Sequence, residues 1–136
     1  MRIISGSAGR RQIRVPGSVA RPSTDRLREA LFSILADRVQ GADVMDLFAG
    51  SGALGLECLS RGASSCVFVD SSKESQQVIA RNLKDLQLAG GKVNARDVFR
   101  ALKGGGNYDL IFADPPYCKK SDDVDYIEQL LADEHL

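Results

Sequence analysis

Asp114, Pro115, Pro116 and Tyr117 follow directly on the apolar run Leu110-Ile111-Phe112-Ala113. An exocyclic amine on a nucleic-acid base is a weak nucleophile, because its lone pair is delocalised into the ring. A carboxylate and a fixed backbone carbonyl that accept its two N–H groups turn the lone pair toward an electrophile. Two consecutive prolines hold such carbonyls rigidly, with φ fixed and no N–H to compete. The ring of Tyr117 can stack on a base drawn out of its helix. Catalysis of this kind is alignment and electrostatics, an in-line transfer to nitrogen. The alternative is a rigid turn in which Asp114 only caps the backbone. The position at the end of an apolar strand, behind a glycine-loop strand earlier in the chain, favours the catalytic reading.

That earlier strand ends in Asp46-Leu47-Phe48-Ala49-Gly50-Ser51-Gly52-Ala53-Leu54-Gly55, where Gly50, Gly52 and Gly55 satisfy G-x-G-x-x-G and open a helix. Asp70 ends the next strand 20 residues after Gly50. The pattern brings a ligand against bare backbone, with an acid placed to accept from ribose hydroxyls. A dinucleotide is one reading. Asp46 argues against it, because a carboxylate before the glycine turn repels a pyrophosphate, which favours donors and positive charge there. The same carboxylate suits S-adenosylmethionine, whose amino-acid end carries an ammonium and whose sulfonium is cationic. Asp46 can equally be a buried acid that ties down loop amides, and the two roles are compatible. Asp97 lies just past a third strand, placed either to accept from an adenine amino group or to form a turn.

The elements that must position these residues alternate. Strands are expected over residues 44–48, 66–70, 92–95 and 110–113, the last apolar throughout as if covered on both faces. Helices are expected over about 53–61, about 73–88 with Val78, Ile79, Leu83 and Leu86 inward, and about 122–131. Such alternation implies a parallel α/β sheet, in the order third, second, first, fourth. Before it, residues 2–5 and 11–15 predict a β-hairpin. Ser23 or Thr24 can cap a helix with Asp25 in its first turn. Leu27, Ala30, Leu31, Ile34 and Leu35 recur at helical spacing as its buried face.

Composition fits an ordinary soluble domain: 136 residues, 43% hydrophobic and 26% charged. No stretch is long and apolar enough to span a bilayer, and no secretory signal is apparent, so a cytoplasmic location is expected. Cys58, Cys66 and Cys118, with His135 as the single histidine, make neither a disulfide framework nor a zinc site, and no metal is expected. They read as reduced packing residues. The net charge of zero hides an asymmetry, since residues 1–40 carry eight arginines and three acids while the rest is acidic. A basic arm on an acidic body suits a polyanionic partner, although a solvated arginine face is the plainer alternative.

With these motifs the chain resembles the RsmD-type 16S ribosomal RNA guanine-N2 methyltransferases. The resemblance rests on Ile3-Ile4-Ser5-Gly6, Gly9-Arg10-Arg11, the segment Arg21-Pro22-Ser23-Thr24-Asp25-Arg26-Leu27-Arg28-Glu29-Ala30-Leu31-Phe32, the block 46–62 and Asp114-Pro115-Pro116-Tyr117. It implies a Rossmann-like class I methyltransferase fold, doubly wound and mostly parallel, with an N-terminal basic hairpin arm over 1–20 and the methyltransferase core over 21–136. It implies S-adenosylmethionine contacts at Asp46, Phe48, Gly50, Ser51, Gly52, Ser71 and Val98, ribose contacts at Asp70, adenine contacts at Asp97, and an approach of Thr24 to the methionine end. Catalysis falls to Asp114, Pro115, Pro116 and Tyr117, and RNA phosphates to Arg10, Arg11, Arg14 and Arg21. The implied substrate is 16S rRNA or a small-subunit ribonucleoprotein particle, acted on by a monomer. Such enzymes continue into three further strands, so a chain ending at Leu136 is expected to be C-terminally incomplete, with an open strand edge at 110–113 available for association. The remaining alternatives are a DNA or other RNA amine methyltransferase, a catalytically silent cofactor-binding fragment and, more remotely, a nicotinamide enzyme.

Overall fold

Val44, Met45 and Leu47, and Cys66, Phe68 and Val69, are all buried, as befits adjacent strands covered on both faces. They lie at the centre of the computed structural model, which describes residues 1–17, 24–114 and 132. The elements run α1 (Asp25–Leu35), a 3-10 turn (Ala36–Arg38), β1 (Asp43–Leu47), α2 (Ala53–Ser60), β2 (Ser65–Val69), α3 (Lys73–Asp85), β3 (Gly91–Asn94), α4 (Val98–Lys103) and β4 (Leu110–Ala113). The sheet has the order β3-β2-β1-β4, and every pairing is parallel. Leu47 is in register with Val69 on one side and Ala113 on the other. Phe48, Asp70 and Asp114 therefore leave the sheet together at one edge.

Both faces of the sheet are covered. On one, Val44, Cys66 and Phe68 pack with Leu56 and Cys58 of α2, Ile79 of α3 and Phe32 of α1. On the other, Met45, Leu47 and Val69 pack with Val98, Ala101 and Leu102 of α4. The glycine at 55 is required by the first face: a Cβ there would lie 2.3 Å from the Phe68 ring and 2.6 Å from the Cys66 sulfur. Absence of a side chain lets α2 sit directly on β2 and sets the angle at which the loop before it meets the strand ends.

Four sequence expectations are corrected. The 98–103 helix was not anticipated from the sequence. The helix read over 73–88 ends at Asp85, with Val78 half-buried. The inward face of α1 is rotated from the one expected: Leu27 and Ile34 are 61% and 79% exposed, while Arg28 and Phe32 are fully buried. Phe32 fits beside Phe112, with ring centroids 6.1 Å apart, and beneath the Arg61 guanidinium at 4.8 Å. Arg28 reaches the Arg2 carbonyl at 2.8 Å and the Asp25 carboxylate. These partners, rather than the count of apolar residues, decide which stripe turns inward. The fourth strand is apolar but only partly covered, with Ile111 41% exposed; its place at the sheet edge among the described residues is the expected one.

The N-terminal segment also differs from a two-stranded hairpin. Its antiparallel pairing amounts to one bridge, Arg2 with Gln12, supported by bonds from the Ile3 amide to the Arg11 carbonyl (2.9 Å) and from the Arg10 amide to the Ile3 carbonyl (2.7 Å). Ile3, Ala8 and Ile13 join the core. The amides of Ile4 and Ser5 donate to the buried Glu57 carboxylate at 2.8 and 3.1 Å, and the Ala8 amide to the Ser60 hydroxyl at 2.9 Å. Donors that a longer ladder would have used are satisfied by α2 instead. Gly6 makes the approach possible, since a Cβ on it would overlap the Ser60 carbonyl at 1.9 Å.

Replacing Gly55 with Ala forces an extra methyl between α2 and β2, an overpacking change that costs about 1–3 kcal/mol. Chemical denaturation of Gly55→Ala is expected to show that loss; an unchanged midpoint would mean α2 can move off the sheet freely.

Candidate active site

The strand ends deliver three carboxylates to one place. Asp46, on β1, lies beneath the glycine loop, 2% exposed, and its Oδ2 accepts from the Gly55 amide at 3.1 Å. Asp70 follows β2. Its Oδ2 accepts from the Gly50 amide and its Oδ1 from the Ser72 amide, each at 2.8 Å. Asp114 follows β4, exposed, near enough that its charge raises the pKa of Asp46. Burial pushes the Asp46 carboxyl up to about 8; the Gly55 amide opposes this, and the charges of Asp114 and Asp70 add to it.

Phe48, Asp70, Ser71, Asp97, Val98 and Phe99 line one pocket beside this group. Five of the six were expected cofactor contacts. Phe48 sits at φ 55°, a left-handed conformation unusual for an aromatic residue, and its strain is of the kind held at binding sites. Gly50 and Gly52 carry the loop through φ 60° and 81°. Asp97 is the N-cap of α4, and its Oδ1 accepts from the Phe99 and Arg100 amides at 3.0 and 3.1 Å. The turn reading of Asp97 thus holds as far as one oxygen, and the other lies 3.7 Å from Arg100 Nε.

Other expected residues are not among those lining the pocket. Ser51 is buried, its hydroxyl 3.6 Å from the Met1 sulfur and its carbonyl held by Asn82 at 3.2 Å, so it faces the N-terminal segment. Thr24 caps α1, accepting from the Leu27 amide at 3.1 Å. Arg10 is exposed at φ 70°, while Arg11 and Arg14 bond at Asp85. Pro115, Pro116, Tyr117 and Arg21 lie outside the described residues, as do Cys118 and the helix expected over 122–131. Cys58 and Cys66 are buried free thiols. Burial pushes Cys58 up to about 12 and Cys66 higher still, so neither is a nucleophile at neutral pH. Phe99 was missed because the α4 helix was missed; Asp97 followed by Val98, Ala101 and Leu102 is the signal that marks it.

The pocket's chemistry fits a cationic, ribose-bearing cofactor. Acids line it, the aromatic and aliphatic surfaces of Phe48, Val98 and Phe99 suit a flat base, and each Asp70 oxygen keeps a lone pair beyond the amide it accepts. A pyrophosphate would meet carboxylates where it needs donors.

Comparison with known proteins gives a consistent picture. The family model described as conserved hypothetical protein 95 matches residues 1–136. YlbH of Bacillus subtilis, named as a candidate rRNA methyltransferase, is 42% identical over 123 residues, covering 86% of this chain and 67% of its own length. Ribosomal RNA small subunit methyltransferase D of Escherichia coli strain K12 is 39% identical over 119 residues, covering 86% of this chain and 60% of its own. The chain thus spans 60–67% of the length of these two relatives. The solved Escherichia coli protein yhhF, a candidate methyltransferase, superposes with a TM-score of 0.80 at 37% identity, covering 89% of this chain and 67% of that one. A candidate methyltransferase solved in complex with SAH superposes at 0.60 with 25% identity, covering 72% of this chain and 27% of that one.

A raised carboxyl pKa has a stability signature. Between about 4 and about 8 folded Asp46 keeps a proton that the unfolded chain releases, so its contribution is full at the acid end and falls as pH rises through that window. Denaturation of the parent and of Asp46→Asn across this range is expected to give a difference that tracks pH, with the variant gaining on the parent toward pH 8. A difference independent of pH would place the Asp46 pKa near its ordinary value.

Proposed function

Because the chain belongs to the conserved hypothetical protein 95 family, the S-adenosylmethionine-dependent methyltransferases of the RsmD and YlbH type, we propose that it transfers a methyl group to the exocyclic N2 amine of a guanine in small-subunit ribosomal RNA. The observation that carries the reading is the register of β1 with β4, in which Leu47 pairs with Ala113, so that Asp114 follows the sheet next to Phe48, a residue of the acid-lined pocket. The names of the relatives supply the substrate class.

When bound, S-adenosylmethionine supplies an electrophilic methyl on a sulfonium. Asp70 would accept from the ribose hydroxyls while its amide contacts fix the loop, and the Asp97 oxygen that faces Arg100 across an exposed 3.7 Å pair would accept from the adenine edge. Asp46 would hold the ammonium end, where a cation favours its ionised carboxylate over the neutral acid. Asp114 accepts one N–H of the target amine and, with the carbonyl of the following Pro-Pro step, aims the nitrogen lone pair. The Tyr117 ring holds the base by stacking. Arg10, Arg11, Arg14 and Arg21 bind RNA phosphates, which carry no sequence information but set the register.

A tritiated-methyl transfer assay on unmodified small-subunit particles, with nucleoside analysis, tests the reading. N2-methylguanine in the rRNA is expected. A methylated adenine or cytosine would transfer the activity to another base, and cofactor binding with no transfer to any nucleic acid would leave only a binding module. Asp114→Ala is expected to abolish transfer with cofactor affinity within a few-fold of the parent. Asp70→Ala is expected to weaken the cofactor, since charged hydrogen bonds are worth about 1.5–3 kcal/mol each. Calorimetry showing unchanged affinity in Asp70→Ala would remove that residue from the site. Turnover retained in Asp114→Ala would sink the alignment mechanism.

A further inference from the structure

Three guanidinium groups converge on the last residue of α3. Arg11 donates to the backbone carbonyl of Asp85 at 2.6 Å, Arg14 Nε lies 3.4 Å from its Oδ2, and Arg81 Nε lies 3.2 Å from its Oδ1. The side chains of Arg14, Arg81 and Asp85 are 62%, 58% and 40% exposed, and neighbouring Lys84 is exposed as well. One carboxylate cannot neutralise three arginines, so the cluster keeps an excess of positive charge. Exposed ion pairs of this kind contribute only about 0–1 kcal/mol each, so the fold gains little from gathering them.

Backbone contacts hold the arginines in place independently of those ion pairs. Asn82 accepts from the Arg14 amide at 2.8 Å and donates to the Arg14 carbonyl at 3.0 Å, and the Gly17 amide donates to Glu74 at 2.7 Å. Residues 11–17 are thus a strap laid along α3, from its C-terminal end at Asp85 back toward its first turn. At 1.5 Å per residue the two ends of α3 are about 18 Å apart. Its first turn follows Asp70 and Ser71 of the pocket lining, and the arginine cluster lies at the far end.

We propose that Arg11, Arg14, Arg81 and Lys84 form one binding site for the RNA phosphate backbone, remote from the target base, with Asp85 occupying the place of a phosphate until RNA arrives. The inference rests on the RNA reading and adds α3 to the N-terminal arginines. An RNA that uses the site extends several nucleotides beyond the methylated guanine. Asp85 competes with phosphate for the guanidinium groups and does not itself recognise RNA.

The test is binding of 16S rRNA to the full chain as a function of salt. Arg81→Ala is expected to weaken binding and to lower the log–log salt slope by about one unit, as for one lost phosphate contact. Asp85→Asn is expected to tighten binding by a few-fold, since it removes a competing anion. Lys103→Ala, an exposed cation on α4 at the opposite face of the sheet, is expected to leave the slope unchanged. All three substitutions are at exposed helix positions, and unchanged thermal melting confirms that each variant is folded. A slope unchanged in Arg81→Ala, or lowered equally by Lys103→Ala, overturns the site while the RNA reading stands. Weaker binding by Asp85→Asn overturns the role given to that residue. A parent chain that shows no salt-dependent affinity for 16S rRNA overturns both the site and the reading beneath it.

Discussion

The carboxylate of Asp70 bonds the Gly50 amide with one oxygen and the Ser72 amide with the other, and the geometry of the whole crevice hangs on that bridge. It joins the turn after β1 to the turn after β2, so two connections that would otherwise move separately share one anchor. Charge-assisted bonds of this type are each worth about 1.5–3 kcal/mol, enough to hold the left-handed turns at Phe48, Gly50 and Gly52 in place. Asp46 supports the same loop from below through the Gly55 amide. The groups that shape the loop are therefore the groups proposed to meet the cofactor, and the two roles would use different lone pairs of the same oxygens.

A second buried carboxylate does for the N-terminus what Asp70 does for the crevice. Glu57 is fully buried and satisfied by two amides of the N-terminal segment and by Arg61 at 2.8 Å. Removing either side would leave an uncompensated charge in the core. The first residues of the chain are consequently part of the fold, and the basic strap that follows them starts from a fixed point.

Much of this was legible in the sequence, because parallel α/β units announce themselves in short apolar runs bounded by glycine and acid. Each of the four strands lies within one residue of its expected limits at both ends, and the expected order matches the observed one. What escaped was decided by partners rather than by periodicity. The apolar face expected of α1 lost to Arg28 and Phe32, because a buried guanidinium and an aromatic slot outweigh a count of leucines. The α4 helix has only six residues, too few for a periodic signal. In the pocket lining, Asp70 and Asp97 were legible because acids after successive strands, behind a glycine loop, carry a signal in their spacing. Phe99 went unnoticed because an aromatic residue in an unread helix carries none.

Asn82 gives the last consequence. Its side-chain nitrogen bonds the carbonyl of Arg14 in the strap and the carbonyl of Ser51 in the glycine loop, at 3.0 and 3.2 Å. A single buried amide thus joins the segment assigned to RNA to the loop assigned to the cofactor. Displacing either backbone changes the geometry the amide offers the other, so the strap and the glycine loop share one buried anchor. Were RNA and cofactor to occupy these two surfaces as proposed, any coupling through that anchor would be reciprocal: the factor an engaged strap applied to cofactor affinity, a bound cofactor would apply to RNA affinity.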